Sequence, residues 1–505
     1  MTSPVRDIAT GASFITCNDY EVRLRRQDFS WLRDEQQQMT VYQLQTHYEK
    51  IIADRLTPVS IYLKIRDRFQ NSILLESSDF HAPDNSFSYI CCNAIASIEV
   101  KDEIINKKFP DGKVEVQPVD QQTDVVDHIH DFTKRFGLDF KDDFKFISNG
   151  IFGYMGYDAV RYFEDIHIRK KADSIDIPEI FYAVYQNIIV IDHFKDEAYV
   201  FAHCYNQPSN LEWLLRIIQG KESAAYGFKA EGKIDSNLSD EAYLDHVRSG
   251  KEHCARGDVF QLVLSRRFEQ SFSGDEFNVY RALRSINPSP YLFYFDYGNF
   301  KIYGSSPEAQ LIIKDGQAEI HPIAGTFRRT GDGIEDGRLA EKLLNDDKEN
   351  SEHVMLVDLA RNDLSRHGSK VKVDTFKEVQ FFSHVIHLVS KVIASKHPET
   401  NSMQVVADTF PAGTLSGAPK HRAMQLIDQY EKTNRSFYGG AIGYMGFNGN
   451  FNHAIMIRTF LSKDFKLYWQ AGAGIVFKSN PQSELQEVNN KLAALTKAIE
   501  RAEAL

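Results

Sequence analysis

Long β-branched and apolar runs in the second half, interrupted by helices that come in blocks rather than one per strand, constrain this chain more than any other feature. Strands are expected over 370–380, 383–394, 441–447, 451–460 and 465–476, and helices over 335–364, 419–430 and 481–504. A strand-helix-strand alternation would give a parallel sheet; blocks of each kind give an α+β fold of stacked antiparallel β-sheets flanked by helices. No G-x-G-x-x-G follows a strand and opens a helix, so a dinucleotide fold has no support. Local signals agree. Ser239 and Asp240 are placed to cap a helix that ends before Gly257, and the Asp315-Gly316 pair between two apolar runs marks a hairpin. Before that, a helix-like run is expected near 40–54, and strands over 72–75, 87–91 and 182–191. The polar stretch 206–238, with Gly220, Gly227 and Gly232, reads as a linker or surface excursion, dividing the chain into 1–165, 166–238 (connecting strands and linker) and 239–505.

Composition removes several function classes. The chain has 505 residues, 59 Lys+Arg against 70 Asp+Glu and a net charge of -11. With no basic run, it lacks the electrostatic footprint of a nucleic-acid binder. The cysteines Cys17, Cys91, Cys92, Cys204 and Cys254 are scattered without C-x-x-C spacing, so neither a disulfide framework nor a zinc site is expected. The start, with Arg6 and Asp7, has no signal-peptide core, and no run is long enough to span a bilayer. A cytoplasmic protein with no membrane contact is the expectation.

Two carboxylate clusters fall on single helix faces: Glu349 with Glu352, and Glu484 with Glu487 and Lys491. By spacing alone the commoner reading is a solvated face; the sharper one is a pair of helices offering an oxygen-only site suited to Mg²⁺. Three small-residue turns, 322–326 (Pro-Ile-Ala-Gly-Thr), 413–419 (Gly-Thr-Leu-Ser-Gly-Ala-Pro) and 471–474 (Ala-Gly-Ala-Gly), let backbone N–H groups approach a ligand, though each also fits an ordinary tight turn. Arg458 within the apolar 451–460 run needs an anionic partner, either an internal carboxylate or a substrate carboxylate. His387 in Val-Ile-His-Leu-Val is either a satisfied core histidine or a general acid or base.

Taken together, the segment 352–363 (Glu-His-Val-Met-Leu-Val-Asp-Leu-Ala-Arg-Asn-Asp), the run around His387, Gly-Thr-Leu-Ser-Gly-Ala-Pro-Lys at 413–420 and Gln-Ala-Gly-Ala-Gly-Ile-Val at 470–476 resemble the signature set of the chorismate-utilising enzymes, from about Ser239 to the C-terminus. Within that superfamily the chain most resembles anthranilate synthase component I. Leu-Leu-Glu-Ser at 74–77 and Gly-Tyr-Met-Gly-Tyr-Asp at 153–158 are similar to the regulatory part of that family.

The resemblance implies a Mg²⁺-dependent lyase of tryptophan biosynthesis, forming anthranilate and pyruvate from chorismate and ammonia, with 239–505 as the catalytic region. The ammonia would come from glutamine through a separate amidotransferase subunit, component II. The resemblance further implies Glu352 and Glu487 as the metal ligands. Gly325, Thr326, Tyr444, Arg458, Gly472, Ala473, Gly474 and Lys491 would hold the substrate, with Thr414 completing the pocket. Glu349 would be the general acid, with Glu308 as its rival, and His387 would act in pyruvate loss. Gln261 stands where isochorismate and salicylate synthases place a lysine base, and Ala324 where aminodeoxychorismate synthases commonly carry a lysine nucleophile. The alternatives are an aminodeoxychorismate or a 2-amino-2-deoxyisochorismate synthase. Feedback inhibition by tryptophan is implied through Glu76, Ser77, Pro290, Tyr291 and Leu292. Here Leu292 replaces a frequent methionine, and the 85–90 segment departs from the usual pattern.

Overall fold

The computed structural model describes residues 40–77, 86–140, 143–221, 224–381 and 385–505, with the side chains of Thr326 and Lys348 excepted. Arg6, Asp7 and Cys17 lie outside the described residues, as do Asn85 and Ser383.

Two antiparallel sheets share a pair of long strands, Phe87–Lys101 and Ile180–Asp192. At one end of this pair the ladder continues through Ile73–Ser77, Tyr291–Asp296, Phe300–Ser306, Thr459–Lys463 and Lys466–Val476 to Gln261–Gly274. At the other end it continues through Ile151–Met155, Ala441–Met445, Phe451–Ile455, Ala309–Lys314 and Gln317–Ile320 to Val385–Lys396. The last of these also pairs with Ile323–Arg328 and Gly368–Phe381. The expected architecture of stacked antiparallel sheets with flanking helices is the one observed.

Alternation along the strands explains the layering, because successive side chains leave opposite faces. In Tyr291–Asp296, Phe293 and Phe295 join an aromatic core between the sheets with Phe152, Tyr154, Ile442 and Ile455. Leu292 and Tyr294 face the other way, and the Tyr294 ring meets Tyr62 of the helix Pro58–Ile65 at 5.5 Å and Phe277 of the helix Phe277–Ile286 at 4.9 Å. Burying each such ring contributes about 2–3 kcal/mol, so this pattern fixes which face each strand presents.

The capping signals hold. The Ser239 side chain accepts the Ala242 N–H to start Asp240–Arg256, which ends at Gly257 in the left-handed region (φ 80°). Asp315 and Gly316, at φ 50° and 80°, make the hairpin turn. Four expectations need correction. The 40–54 run is the strand Tyr42–Ile52, paired with Glu197–Cys204, because Tyr42 and Leu44 are buried in alternation with exposed neighbours. The 206–238 stretch is not a linker: it holds the helix Leu211–Gln219 and the strand Phe228–Ser236, which lies against Gln261–Gly274. The 335–364 helix is two helices, Gly333–Leu344 and Asp347–Ser365. The 451–460 strand breaks at 456–458, where the chain crosses from one sheet to the other. Nor do 1–165 and 239–505 part in space within the described residues: Ile73–Ser77 and Ile151–Met155 sit inside sheets built by the second half, and Val41–Leu505 forms one compact unit. No described helix is long and apolar enough to cross a membrane.

Candidate active site

The site forms where the crossing segment meets three small-residue stretches. Arg458 ends the crossing with a left-handed backbone (φ 49°), and its carbonyl accepts the Ser305 N–H at 3.1 Å. Its guanidinium donates to Asn287 Oδ1 at 3.4 Å, and burial lowers its pKa. A cation so placed favours an anionic ligand that replaces its lost hydration.

The glycine run lies on Lys466–Val476, where Gly472 is the register partner of Ser265 and Gly474 of Val263. A side chain is excluded at Gly472, where a Cβ would stand 2.7 Å from Leu264 O; a Cβ on Gly474 would press on the end of the Gln261 side chain, 2.5 Å from Nε2. Gln261 donates that Nε2 to Glu352 Oε1 at 2.8 Å. The same Glu352 oxygen would lie 3.7 Å from a Gly474 Cβ. At the other end of the run Lys491 donates to Gly472 O at 2.8 Å and pairs with Glu487 at 2.8 Å. The helix Asp347–Ser365 thus brings Glu352 to the Gly474 end of this strip, and the helix Pro481–Ala502 brings Lys491, paired with Glu487, to the Gly472 end. Among the described residues no group of three or more His, Cys, Asp or Glu side chains converges, so a cation here would take two carboxylates and fill its remaining positions with water and ligand oxygens.

The bulge at Gly325 aims the third stretch. Ala324 pairs with Leu388 and Thr326 with His387, which leaves Gly325 as the extra residue, at φ 71°. A Cβ there would meet Leu343 Cδ1 at 2.8 Å and Glu349 Oε2 at 3.4 Å, so Glu349 lies against this turn. The freed Gly325 carbonyl accepts from His387 Nδ1 at 3.0 Å. Burial takes the His387 pKa down to about 4, opposed by that hydrogen bond and helped by the nearby Arg458 charge. The ring is neutral at pH 7, and with Nδ1 carrying the proton the basic lone pair is on Nε2.

Thr414 donates to Glu308 Oε1 at 3.3 Å, and burial pushes the Glu308 carboxyl up to about 8, partly offset by Thr414 and Lys491. Glu308 therefore keeps its proton at neutral pH, as a general acid must. Thr326 follows Gly325 in its strand, and its side chain lies outside the described residues. Tyr444 does not join this cluster.

Tyr444 lines a separate cavity of about 960 Å³, packed against Tyr89 at 5.2 Å. The same cavity is lined by Glu76, Ser77, Pro290, Tyr291 and Leu292. Register explains their meeting, since Ser77 pairs with Tyr291 and Glu76 with Leu292. Glu76 accepts from Tyr280 Oη at 2.5 Å and Arg284 Nε at 2.9 Å. The tyrosine beside the glycine run is Tyr438, buried, with the Gly472 backbone acting on its hydroxyl. An aromatic followed by two glycines, Tyr438-Gly439-Gly440, is the only local sign of it. Nothing in the sequence pattern links Gln261 to Glu352.

A sequence profile described as chorismate binding enzyme matches residues 80–497. The chain is 36% identical to anthranilate synthase component 1 of Aquifex aeolicus over 90% of its own length and 94% of the relative's. It is 38% identical to the Lactococcus lactis protein of that name, covering 89% and 98% of the two chains. The crystal structure of anthranilate synthase component I from Streptococcus pneumoniae superposes with a TM-score of 0.73 at 31% identity, over 89% of this chain and 99% of that one. The menaquinone-specific isochorismate synthase MenF of Escherichia coli shares the fold, with a TM-score of 0.70 at 17% identity over 93% and 98%. The chain belongs to the chorismate-binding enzyme family, in the company of the anthranilate synthase components I.

Proposed function

We propose that the chain converts chorismate and ammonia to anthranilate, pyruvate and water, as a lyase whose ammonia comes from a separate glutamine amidotransferase subunit. The observation that carries this reading is Gln261. Its amide is held on Glu352 at 2.8 Å and has no basic lone pair with which to deprotonate water, which suits an amine nucleophile that needs no such base. Ala324, in place of a nucleophilic lysine, supports attack of ammonia on the ring without a covalent enzyme intermediate.

Arg458 would hold one substrate carboxylate, and the backbone N–H groups of Gly472, Ala473 and Gly474 with Lys491 would face the other. Glu308 would donate its proton to the departing C4 hydroxyl while ammonia adds at C2. Its protonated state at neutral pH favours it over Glu349, which lies against Gly325. Neutral at pH 7 and with its proton on Nδ1, His387 presents the Nε2 lone pair near Arg458, placed to accept the C2 proton as pyruvate leaves and the ring becomes aromatic. Glu352 and Glu487, a hard oxygen-only pair, fit Mg²⁺. When bound, the ion would offset the charge of the ring carboxylate. The 960 Å³ cavity, with Glu76 as its buried anion, suits tryptophan as a feedback inhibitor.

Purified chain supplied with chorismate, ammonium and Mg²⁺ should develop anthranilate fluorescence, weakened by tryptophan and abolished by chelation. A folded sample that forms no anthranilate refutes the assignment.

A further inference from the structure

Behind the glycine run, the strand Gln261–Gly274 has a gap in its second ladder. Gln261 and Leu262 pair on that side with Gly417–Ala418, and Phe268 onward pairs with Phe228–Ser236. Between them the backbone of 263–265 meets no strand there. An ion pair takes that place. Arg435 Nη2 donates to Val263 O at 2.8 Å, and Glu431 Oε1 accepts from Ser265 N at 3.0 Å and Ser265 Oγ at 2.7 Å. These are the carbonyl and the N–H that a neighbouring strand would have bonded. Val263 and Ser265 are also the register partners of Gly474 and Gly472.

The same guanidinium reaches a second wall. Arg435 Nη1 donates to Leu415 O at 2.6 Å, directly after Thr414, the residue bonded to Glu308. Two further bonds, at 2.8 and 2.6 Å, join Arg435 to Glu431. Its charge lies 4.7 Å from the Tyr157 ring and 5.6 Å from Tyr438. Arg435 is 1% exposed and Glu431 4%, so neither meets ligand or solvent. Two of these four bonds hold the Glu431 carboxylate; the other two fix carbonyls from two different walls in the one rigid plane of the guanidinium.

We infer that Arg435, with Glu431, is the positioning residue of the site, setting the distance between the turn that carries Thr414, the residue bonded to Glu308, and the strip that carries Gly472 and Gly474. The inference rests on the active-site reading above. Misplacement of one wall by about 1 Å would lower kcat about 100-fold while changing KM for chorismate far less, since both walls still offer their groups to the ground state.

The test compares the full chain with the Glu431→Gln/Arg435→Met double variant and with Ser265→Ala, following both chorismate loss and anthranilate fluorescence with ammonium and Mg²⁺. Removing both charges together spares the core an unpaired ion, so the double variant is expected to fold. Its kcat per folded chain should fall about 100-fold, and that of Ser265→Ala, which loses the hydroxyl's bonds to Glu431 and from Gln470 but keeps the backbone N–H on Glu431, about fivefold. Parental kcat in the double variant overturns the inference; should that variant fail to fold, parental kcat in Ser265→Ala does so. If the parent consumes chorismate but yields another product, the reaction assignment fails while chorismate loss still tests the clamp. A parent that consumes none overturns both.

Discussion

Replacing Glu308 by Gln separates the stability of this fold from its chemistry, with opposite signs. A carboxyl raised from 4.5 to about 8 holds a proton in the folded chain that the unfolded chain releases. Stability is therefore full below pH 4.5, falls as pH rises towards 8 and levels above it. At about 1.4 kcal/mol per pH unit, the cost accumulated by pH 7 is about 3 kcal/mol. Glutamine has the same shape, still accepts from Thr414 and never ionises, so Glu308→Gln removes that cost. For 505 residues unfolding cooperatively, with about 2 cal/mol/K of entropy each, 3 kcal/mol raises the melting midpoint by about 3 °C. The gain should shrink to nothing near pH 4.5. Turnover should fall about 100-fold or more, the ordinary yield of a lost general acid. In the parent, kcat/KM at constant free ammonia should hold up to about pH 8 and decline beyond it as Glu308 loses its proton. Thermal scans at pH 5, 6, 7 and 8 alongside a fluorescence assay for anthranilate read both effects. A glutamine variant that melts with the parent at pH 7, or that turns over at the parental rate, refutes the reasoning.

Two other substitutions probe the walls of the two cavities. In Gly474→Ala the new methyl meets the mobile end of Gln261 at 2.5 Å and turns it away from Glu352. The lost hydrogen bond costs about 1 kcal/mol of stability, and the Mg²⁺ concentration giving half-maximal activity should rise about 10-fold or more because the ligand has lost its orienting partner; an unchanged Mg²⁺ titration counts against Glu352 as a ligand. Glu76→Gln leaves Arg284, which is 41% exposed, free to turn to solvent, and removes the anion facing the 960 Å³ cavity. The tryptophan concentration for half-inhibition should rise about 10-fold or more with uninhibited kcat unchanged, as for loss of a charged hydrogen bond; equal inhibition in parent and variant places tryptophan elsewhere.

Local chemistry made some of this legible and left the rest dark for a common reason. Ser239 and Asp315-Gly316 act within four residues, so their cap and turn can be read from neighbours alone. The two carboxylate clusters were visible as helix faces, but spacing could not say what those faces meet. Tyr42–Ile52 carries Glu, Lys and His at its exposed positions, which suits a helix as well as a strand. Its true period shows only against Glu197–Cys204, about 150 residues away. Arg458 looked like a strand residue because its neighbours are apolar; the apolarity belongs to two different sheets, and the break between them is a left-handed backbone that arginine gives no sign of adopting. Tyr444 and Tyr438 are six residues apart on either side of a strand boundary, and only the sheet order decides that one lines the 960 Å³ cavity while the other lies beside the glycine run.

The shared strand pair also dictates an order of events. During synthesis, Ile73–Ser77 finds one neighbour soon, in Phe87–Lys101, but its other edge waits for Tyr291–Asp296, more than 200 residues later. Ile151–Met155 waits longer still, for Ala441–Met445. Loop closure over such distances is slow, and an edge of Ile73-Leu74-Leu75 left open is a template for a neighbouring chain. The nascent protein must therefore emerge almost whole before either sheet can close. Its yield in a cell should depend on how well its first two hundred residues are shielded in the meantime.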